Sequence, residues 1–350
     1  MAGMKNHTKP FRTAVIGFGI SGRVFHAPLI AANPSYSLDM IVTSNSERAA
    51  AAATLYPRAR VVGTTAELFA DASKLDLVVL STPPVTHFEL TALAISQGLH
   101  VVIDKPFAAN SEQAEELIAR ARRAGVELTV FQNRRWDADY LTLRKLLDNG
   151  QFGEARSFES RFEWWRPDGF QNWRDVATIS EAGGILHDLG AHLIDQAIQL
   201  FGPVAQSHGE IGRRADLDGY GADQEAFVSL LHDSGVRSRL WMNGMAPQVG
   251  PRFHVLGSKA GYTKWGLDGQ EPALDAGASP TDVGYGVESK DSWGRLGVDT
   301  VTELVRPERG SYPEFYRLLA LALSGTGTLP VDPSDSLTVL RIIERIHSQA

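Results

Sequence analysis

The sequence predicts an α/β first part built on a doubly wound parallel sheet, followed by an α+β part built on a largely antiparallel or mixed sheet. Three observations predict it. Gly17, Gly19 and Gly22 stand in GxGxxG spacing where a short apolar run gives way to a helical segment. Apolar runs and helical segments alternate through roughly the first 130 residues, the pattern of strands joined by crossover helices. After about residue 133, strand-like runs follow one another directly instead.

Element by element, strands are predicted at 11–16, 38–42, 60–62, 76–80, 99–103 and 126–131. Helices are predicted at 22–32, 46–55, 65–70, 85–97 and 110–123. LDLVVL and HVVID are nearly continuous apolar runs, as parallel strands covered on both faces require. The later strands are ARSFESRFEWW, EAFVSLLH, VRSRLWMN and RFHVLG, with His232-Asp233-Ser234-Gly235 as a hairpin turn. Residues 268–300, rich in Gly, Asp, Ser and Pro, read as a long loop or excursion, and helices are predicted at 313–323 and 334–348. The domain boundary therefore falls at 133/134, with 1–133 as a dinucleotide-binding domain and 134–350 as a substrate-binding and oligomerisation domain.

Composition narrows the function classes. At 350 residues, two domains are the default expectation, and 43% apolar with 21% charged residues is ordinary for a globular protein. A net charge of −7 argues against a nucleic-acid partner. The absence of cysteine excludes disulfides, thiolate catalysis and cysteine-ligated metals. No apolar run is long enough to span a bilayer, so no membrane partner is expected. MAGMKNHTKPFRT lacks an apolar core of signal-peptide length, and the first ten residues read as a loose tail; the expectation is a cytoplasmic enzyme.

Each glycine of the loop has a physical task. Gly17 permits the tight turn, Gly19 lets a pyrophosphate approach the backbone, and Gly22 allows the helix to pack closely on the strand. With Phe18 and Ile20 between them, they form a Rossmann cofactor loop whose helix N-terminus offers free N–H groups to phosphate. An acidic residue about twenty positions later would select NAD by binding the ribose 2′-hydroxyl. VTSNSER has none at the strand tip: Asp39 lies too early, and Glu47 should start the helix. Ser44 leaves room for a 2′-phosphate and Arg48 supplies charge, which predicts NADP with NAD still usable; the alternative is that Ser44 is only a helix cap and Arg48 only a solvated charge.

Lys105, followed by Pro106 and Phe107, ends the fifth predicted strand, on the side where open parallel sheets bind ligands. A lone Lys-Pro is usually a surface loop, and only its place relative to the glycines argues for a site. In GGILHDLGAHLIDQAIQLFG, Asp188 and His192 lie four apart and would share a helix face as a proton-handling pair. His187, His192 and Asp195 do not make a recognisable metal motif, and no metal is expected. A histidine packed in the core is the competing reading, although Ile185, Leu189, Leu193, Ile194 and Ile198 carry the apolar face.

The chain resembles the glucose–fructose oxidoreductase, inositol dehydrogenase and MocA family of NAD(P)-dependent oxidoreductases over nearly its whole length. The resemblance rests on the glycine loop, STPPVTH at 81–87, DKPF at 104–107, and Asp188/His192 after Gly183-Gly184. GRVFHAPLI, FQNRRWDADYLTLRKLL and GAHLIDQAIQLFG are most similar to its bacterial NADP-dependent scyllo-inositol dehydrogenase branch. The resemblance implies a Rossmann domain followed by an open-faced mixed sheet. It also implies catalytic Lys105, Asp188 and His192, and a cofactor loop including Ser81, Thr82, Pro83 and His87. Trp173 and Arg174 resemble a pair at the nicotinamide end. Asp104 stands where the family commonly has Glu, one carbon longer.

The implied reaction is hydride transfer between nicotinamide and a cyclic polyol or sugar. His192 would handle the hydroxyl proton and Lys105 the developing alkoxide. Asn133, Arg134 and Trp164 are expected near such a substrate, because sugars take planar hydrogen-bonding groups and aromatic faces; the tryptophans could equally pack an interface. A homodimer or homotetramer is expected, since a sheet covered on one side leaves a face to bury. The alternatives are a non-catalytic cofactor-sensing regulator, or a reductase of a non-sugar carbonyl.

Overall fold

The computed structural model describes residues 9–169, 172–213 and 222–349. The loose tail expected at 1–10 therefore falls, up to residue 8, outside the described residues. Six strands form the first sheet: β1 (Phe11–Ile16), β2 (Tyr36–Val42), β3 (Arg60–Val62), β4 (Leu77–Leu80), β5 (His100–Asp104) and β6 (Leu128–Phe131). They pair in the order β3-β2-β1-β4-β5-β6, every pairing parallel. The strand order reverses between β1 and β4, which makes their carboxyl ends the crevice where such sheets bind ligands. Leu77 to Leu80 are fully buried, which accounts for the unbroken apolar run.

The helices follow their local signals. Asn45 caps Ser46–Leu55, Thr64 and Glu67 form a reciprocal capping box on Thr65–Ala70, and Asn110 caps Ser111–Ala124. Gly125 ends the last of these in the left-handed conformation, at φ 68°. The helix after the glycines departs from expectation: Ser21–His26 is wound as a π-helix before Ala27–Ala31 turns α.

The chain divides into two compact units that are not contiguous halves. The first comprises residues up to Asn133 together with Gln270–Tyr285 and Ser311–Leu337. Aromatic burial explains the last return. Phe315 meets Phe131 edge-on at 4.8 Å, Tyr312 meets Phe25 at 5.9 Å, and Tyr316 meets Tyr36 at 5.5 Å. The expected excursion at 268–300 is thus partly structured: it holds the helix Gln270–Asp275, a turn at Lys290–Ser292 and a further strand.

The second unit is built on eight strands: β7 (Ala155–Glu163), β8 (Val204–Gly212), β9 (Glu225–His232), β10 (Arg237–Asn243), β11 (Phe253–Gly257), β12 (Gly261–Lys264), β13 (Gly294–Val298) and β14 (Val301–Val305). Their order is β14-β13-β12-β11-β7-β10-β9-β8; β7 and β10 run parallel and the other neighbours antiparallel, so the sheet is mixed. Alternation along β7 and β10 turns Phe158, Phe162, Leu240 and Met242 into a core shared with Leu193, Ile194 and Ala197. Ile342, Ile343 and Ile346 of the final helix join that core. The opposite face carries Arg161, Phe227 and Trp241, with the Arg161 guanidinium 3.9 Å above the Trp241 ring. Among the described residues, no helix is long and apolar enough to cross a membrane.

Arg252 is the charge at the centre of this unit, 2% exposed. Its guanidinium donates to Asp139 Oδ2 at 3.1 Å, Ser160 Oγ at 2.8 Å, the Arg161 carbonyl at 3.2 Å and Gln196 Oε1 at 2.8 Å. Removing the cation strands the buried Asp139 carboxylate. Arg252→Leu should destabilise the protein by about 3–5 kcal/mol in urea unfolding, and Arg252→Leu with Asp139→Leu by less. A loss below about 1 kcal/mol for the single variant would show that the network contributes nothing beyond surface-pair strength.

Candidate active site

The crevice of the first unit is shaped by close backbone approach. Gly17 has φ +95°, and a Cβ there would lie 2.2 Å from the Ser81 carbonyl oxygen. A Cβ on Gly22 would lie 2.0 Å from the Gly17 carbonyl oxygen. The glycine loop is thereby drawn onto the tip of β4, where the Ser81 hydroxyl is buried without a hydrogen-bond partner. The helical turn that begins at Ser21 has no side-chain cap and no acidic residue in its first turn. Glycine cradle, unused hydroxyl and uncapped N–H groups fit a dinucleotide phosphate.

At the tip of β2, Asn45 takes the capping role by accepting from the Arg48 amide at 2.9 Å. With Asn45 as the cap, the side chains of Ser44 and Arg48 are not needed for that role, and both are exposed. Arg48 reaches the glycine loop, its Nη1 lying 3.7 Å from the position a Gly19 Cβ would occupy. Ile20 is 57% exposed, whereas Phe18 is buried against Tyr56, edge-on at 6.2 Å. Phe18 therefore offers a cofactor its backbone rather than its ring.

His87 is also turned inward. Its Nε2 lies 2.9 Å from the Thr82 carbonyl and its Nδ1 3.1 Å from the Pro106 carbonyl. The ring braces the loop after β4 against the Lys105-Pro106-Phe107 segment, and its burial lowers its pKa. Thr82 and Pro83 are half-buried, with Thr82 Oγ1 2.7 Å from Thr86 Oγ1. Lys105 is half-buried at the end of β5. Asp104, expected at the cofactor, accepts from His26 Nε2 at 2.9 Å and from the Ser21 hydroxyl. Burial works to raise the Asp104 carboxyl, but His26, Ser21 and His87 together hold it below the usual range.

In the second unit, residues 185–197 are buried with the single exception of Asp188, which is partly exposed. The α-helical spacing expected for Asp188 and His192 does not apply throughout: Leu186–Gly190 is a π-helix, and the α-helix begins at Ala191. Arg174 Nε stands 3.6 Å from Asp188 Oδ2, and its guanidinium lies 5.1 Å from the Trp173 ring centre. Trp173, Arg174 and Asp188 are thus brought together. His192 is buried. Asp195 holds Arg135 through two bonds of 2.8 and 2.6 Å, and no group of metal-ligating residues occurs among the described residues.

The residues expected at the substrate are placed as follows. Arg134 is buried 4.6 Å over Phe162, with Nη1 3.4 Å from Asp137 Oδ2. Trp164 packs edge-on against Phe162 at 5.1 Å, while its neighbour Trp165 is 55% exposed. Asn133 is buried at the end of the first unit's main segment.

Comparison with known proteins decides the family. Residues 11–132 match the oxidoreductase family model described as an NAD-binding Rossmann fold, and residues 144–350 match its C-terminal alpha/beta domain. The chain belongs to the Gfo/Idh/MocA oxidoreductase family. It is a nicotinamide-dependent oxidoreductase. It is 34% identical to the scyllo-inositol 2-dehydrogenase (NADP(+)) IolW of Bacillus subtilis, over 95% of this chain and 92% of that one. It is 38% identical to the Escherichia coli oxidoreductase YdgJ, over 95% and 94% of the two chains. Among solved structures, the Bacillus subtilis oxidoreductase yvaA superposes with a TM-score of 0.90 at 32% identity, covering 98% and 97% of the chains.

Within this family member, sequence reasoning passed over His26, Tyr316, Asp223 and His347. His26 stood inside GRVFHAPLI as a lone imidazole in an apolar segment, the one signal that could have flagged it. Asp223 Oδ2 accepts from the Leu186 amide at 2.8 Å, and His347 Nε2 lies 3.2 Å from Asp223 Oδ1. His347 in turn stacks on His187 at 4.9 Å. This cluster anchors the start of the segment that carries Asp188.

Burial, and then electrostatic repulsion from His347, push the His187 pKa down to about 4; the Gly183 carbonyl, Asp223 and Glu344 oppose the shift. The unfolded chain therefore binds more protons than the folded one between its ordinary value, roughly 6.5, and about 4. Stability should fall as pH drops through that window, and His187→Gln should flatten the slope in urea titrations at pH 7, 6, 5 and 4. An unchanged slope in His187→Gln would assign the acid sensitivity to other groups.

Proposed function

We propose that the chain is an NADP-dependent dehydrogenase acting on a CH–OH group of a cyclic polyol or sugar, with scyllo-inositol and its keto form as first candidates. The observation that carries the cofactor choice is Arg48, exposed beside Gly19 at a strand tip with no acidic selector. The name of the similar Bacillus subtilis enzyme supports both cofactor and substrate class. Gly17, Gly19, Gly22, Ser81 and the backbone of Phe18 would hold the dinucleotide, with Ser44 and Arg48 at its 2′-phosphate.

When bound, the nicotinamide supplies or takes the hydride. The protein's own residues manage charge and protons. Lys105 places a cation at the substrate oxygen and stabilises the developing alkoxide. His192 accepts the hydroxyl proton in oxidation and returns it in reduction, and Asp188, itself near Arg174, orients it. Trp165 and Trp173 offer the exposed aromatic surface that C–H faces of a ring prefer. The face of the second sheet carrying Arg161, Phe227 and Trp241 supports assembly of two or four copies.

The NADPH to NADH ratio of kcat/KM should exceed one, and Arg48→Ala should lower it by weakening NADPH alone. Equal or better use of NADH by the unaltered enzyme would overturn the cofactor assignment.

Lys105→Ala and His192→Ala should each lose on the order of 10²–10⁴ in kcat while still binding NADPH. Turnover is measured side by side on inositol isomers, aldoses and aliphatic ketones through nicotinamide absorbance. Activity confined to the aliphatic carbonyls would remove the polyol assignment, and near-full kcat in His192→Ala would remove the proton role.

A further inference from the structure

Asp104 and Lys105 are consecutive, so whatever holds the aspartate fixes the backbone from which the lysine projects. The Asp104 carboxylate is held from the glycine-loop helix by two side chains, Ser21 and His26, at opposite ends of Ser21–His26. His26 has no exposed surface, and its Nδ1 lies 2.6 Å from the Tyr316 hydroxyl. The Tyr316 carbonyl accepts from the Tyr36 hydroxyl at 2.7 Å. Phe131 packs against the imidazole at 4.4 Å.

One end of this chain has a fixed direction. A carboxylate only accepts, so Nε2 carries the proton toward Asp104. At the other end Nδ1 and the Tyr316 hydroxyl are within hydrogen-bonding distance of each other. Burial pushes the Tyr316 hydroxyl well above its ordinary value, with the Tyr36 and Asp104 charges adding, so it stays protonated. His87 is the other titratable group near Asp104, and its ring is committed to backbone carbonyls.

We propose that His26, locked by Tyr316, is a positioning residue that sets the direction of Lys105 through Asp104 and ties it to the glycine-loop helix. This rests on Lys105 acting at the substrate oxygen. It also gives the aspartate a reason. The carboxylate meets the fully buried His26 at hydrogen-bonding distance, and a glutamate arm, one methylene longer, would not hold that contact at the same geometry.

The test reads Lys105 directly, without cofactor or substrate. Trace acetic anhydride labelling between pH 7 and 11 is quantified by peptide mass spectrometry, with the exposed Lys74 and Lys145 as internal references. His26→Leu should change the Lys105 labelling rate on the order of five-fold, the scale of one hydrogen bond, and shift its pH profile. His26→Gln, which keeps an N–H donor at the Nε2 position, should stay within about two-fold of the unaltered protein.

In turnover, His26→Leu should lower kcat by about ten-fold with the NADPH dissociation constant within roughly three-fold. If His26→Leu fails to fold, Tyr316→Phe removes only the hydroxyl and should shift Lys105 labelling in the same sense. Unchanged Lys105 labelling in whichever variant folds would overturn the proposal, even with a lowered melting temperature, because a purely structural role would do that. Full turnover in Lys105→Ala would instead overturn the catalytic role of the lysine, while the labelling still reports the tie.

Discussion

The first unit depends on two places where backbone must touch backbone. Gly17 leaves β1 at positive φ, against the Ser81 carbonyl, and Gly22 closes against the Gly17 carbonyl. A side chain at either would push the helix Ser21–His26 off the ends of β1 and β4. The reversal of strand order at β1 and β4 opens a crevice, and the glycines let helical N–H groups descend into it. The distances among Ser21, His26, Asp104 and Lys105 all inherit that placement. The chemistry at the end of β5 is in this sense set by hydrogen atoms in the loop after β1.

The second unit solves a different problem. Its sheet must carry polar groups and still bury one face, and it does so by pairing charge inside the core. Arg252 pairs with Asp139 in the core, its remaining donors finding Ser160, Gln196 and the Arg161 carbonyl, and the part-buried Arg135 pairs with the buried Asp195 through two bonds. Such pairs stabilise little against an apolar replacement, but they penalise every arrangement in which a partner is missing. Arg134, buried over Phe162, lies in the same interior. With residues 185–197 otherwise packed, Asp188 is the position left partly open to solvent, and a carboxylate there keeps water and Arg174 as neighbours.

Much of this architecture is legible along the chain. The runs LDLVVL and HVVID announce strands covered on both faces, and the alternation in ARSFESRFE announces one covered on a single face. Helix starts predicted at 46, 65 and 110 fall within a residue of those observed, where Asn45, Thr64 and Asn110 form the caps. These signals are readable because each depends on residues within a turn or a strand of one another. The π-wound segments at Ser21–His26 and Leu186–Gly190 escape the same reading. An α period and a π period differ too little over five or six residues to leave separate patterns.

By itself the sequence determined the strand and helix alternation, the glycine loop, the lysine at the end of β5 and the absence of an acidic selector near Arg48. Each is a matter of residue type and local spacing. Only the tertiary structure decided that His26 meets Asp104 across 78 residues, or that Ser311–Leu337 returns to the first unit on its aromatic side chains. It also decided that Phe18, His87 and Arg134 face inward while Ile20, Trp165 and Trp173 face out. A buried polar contact is chosen by which surfaces close around it, and that closure has no periodicity for a sequence to display.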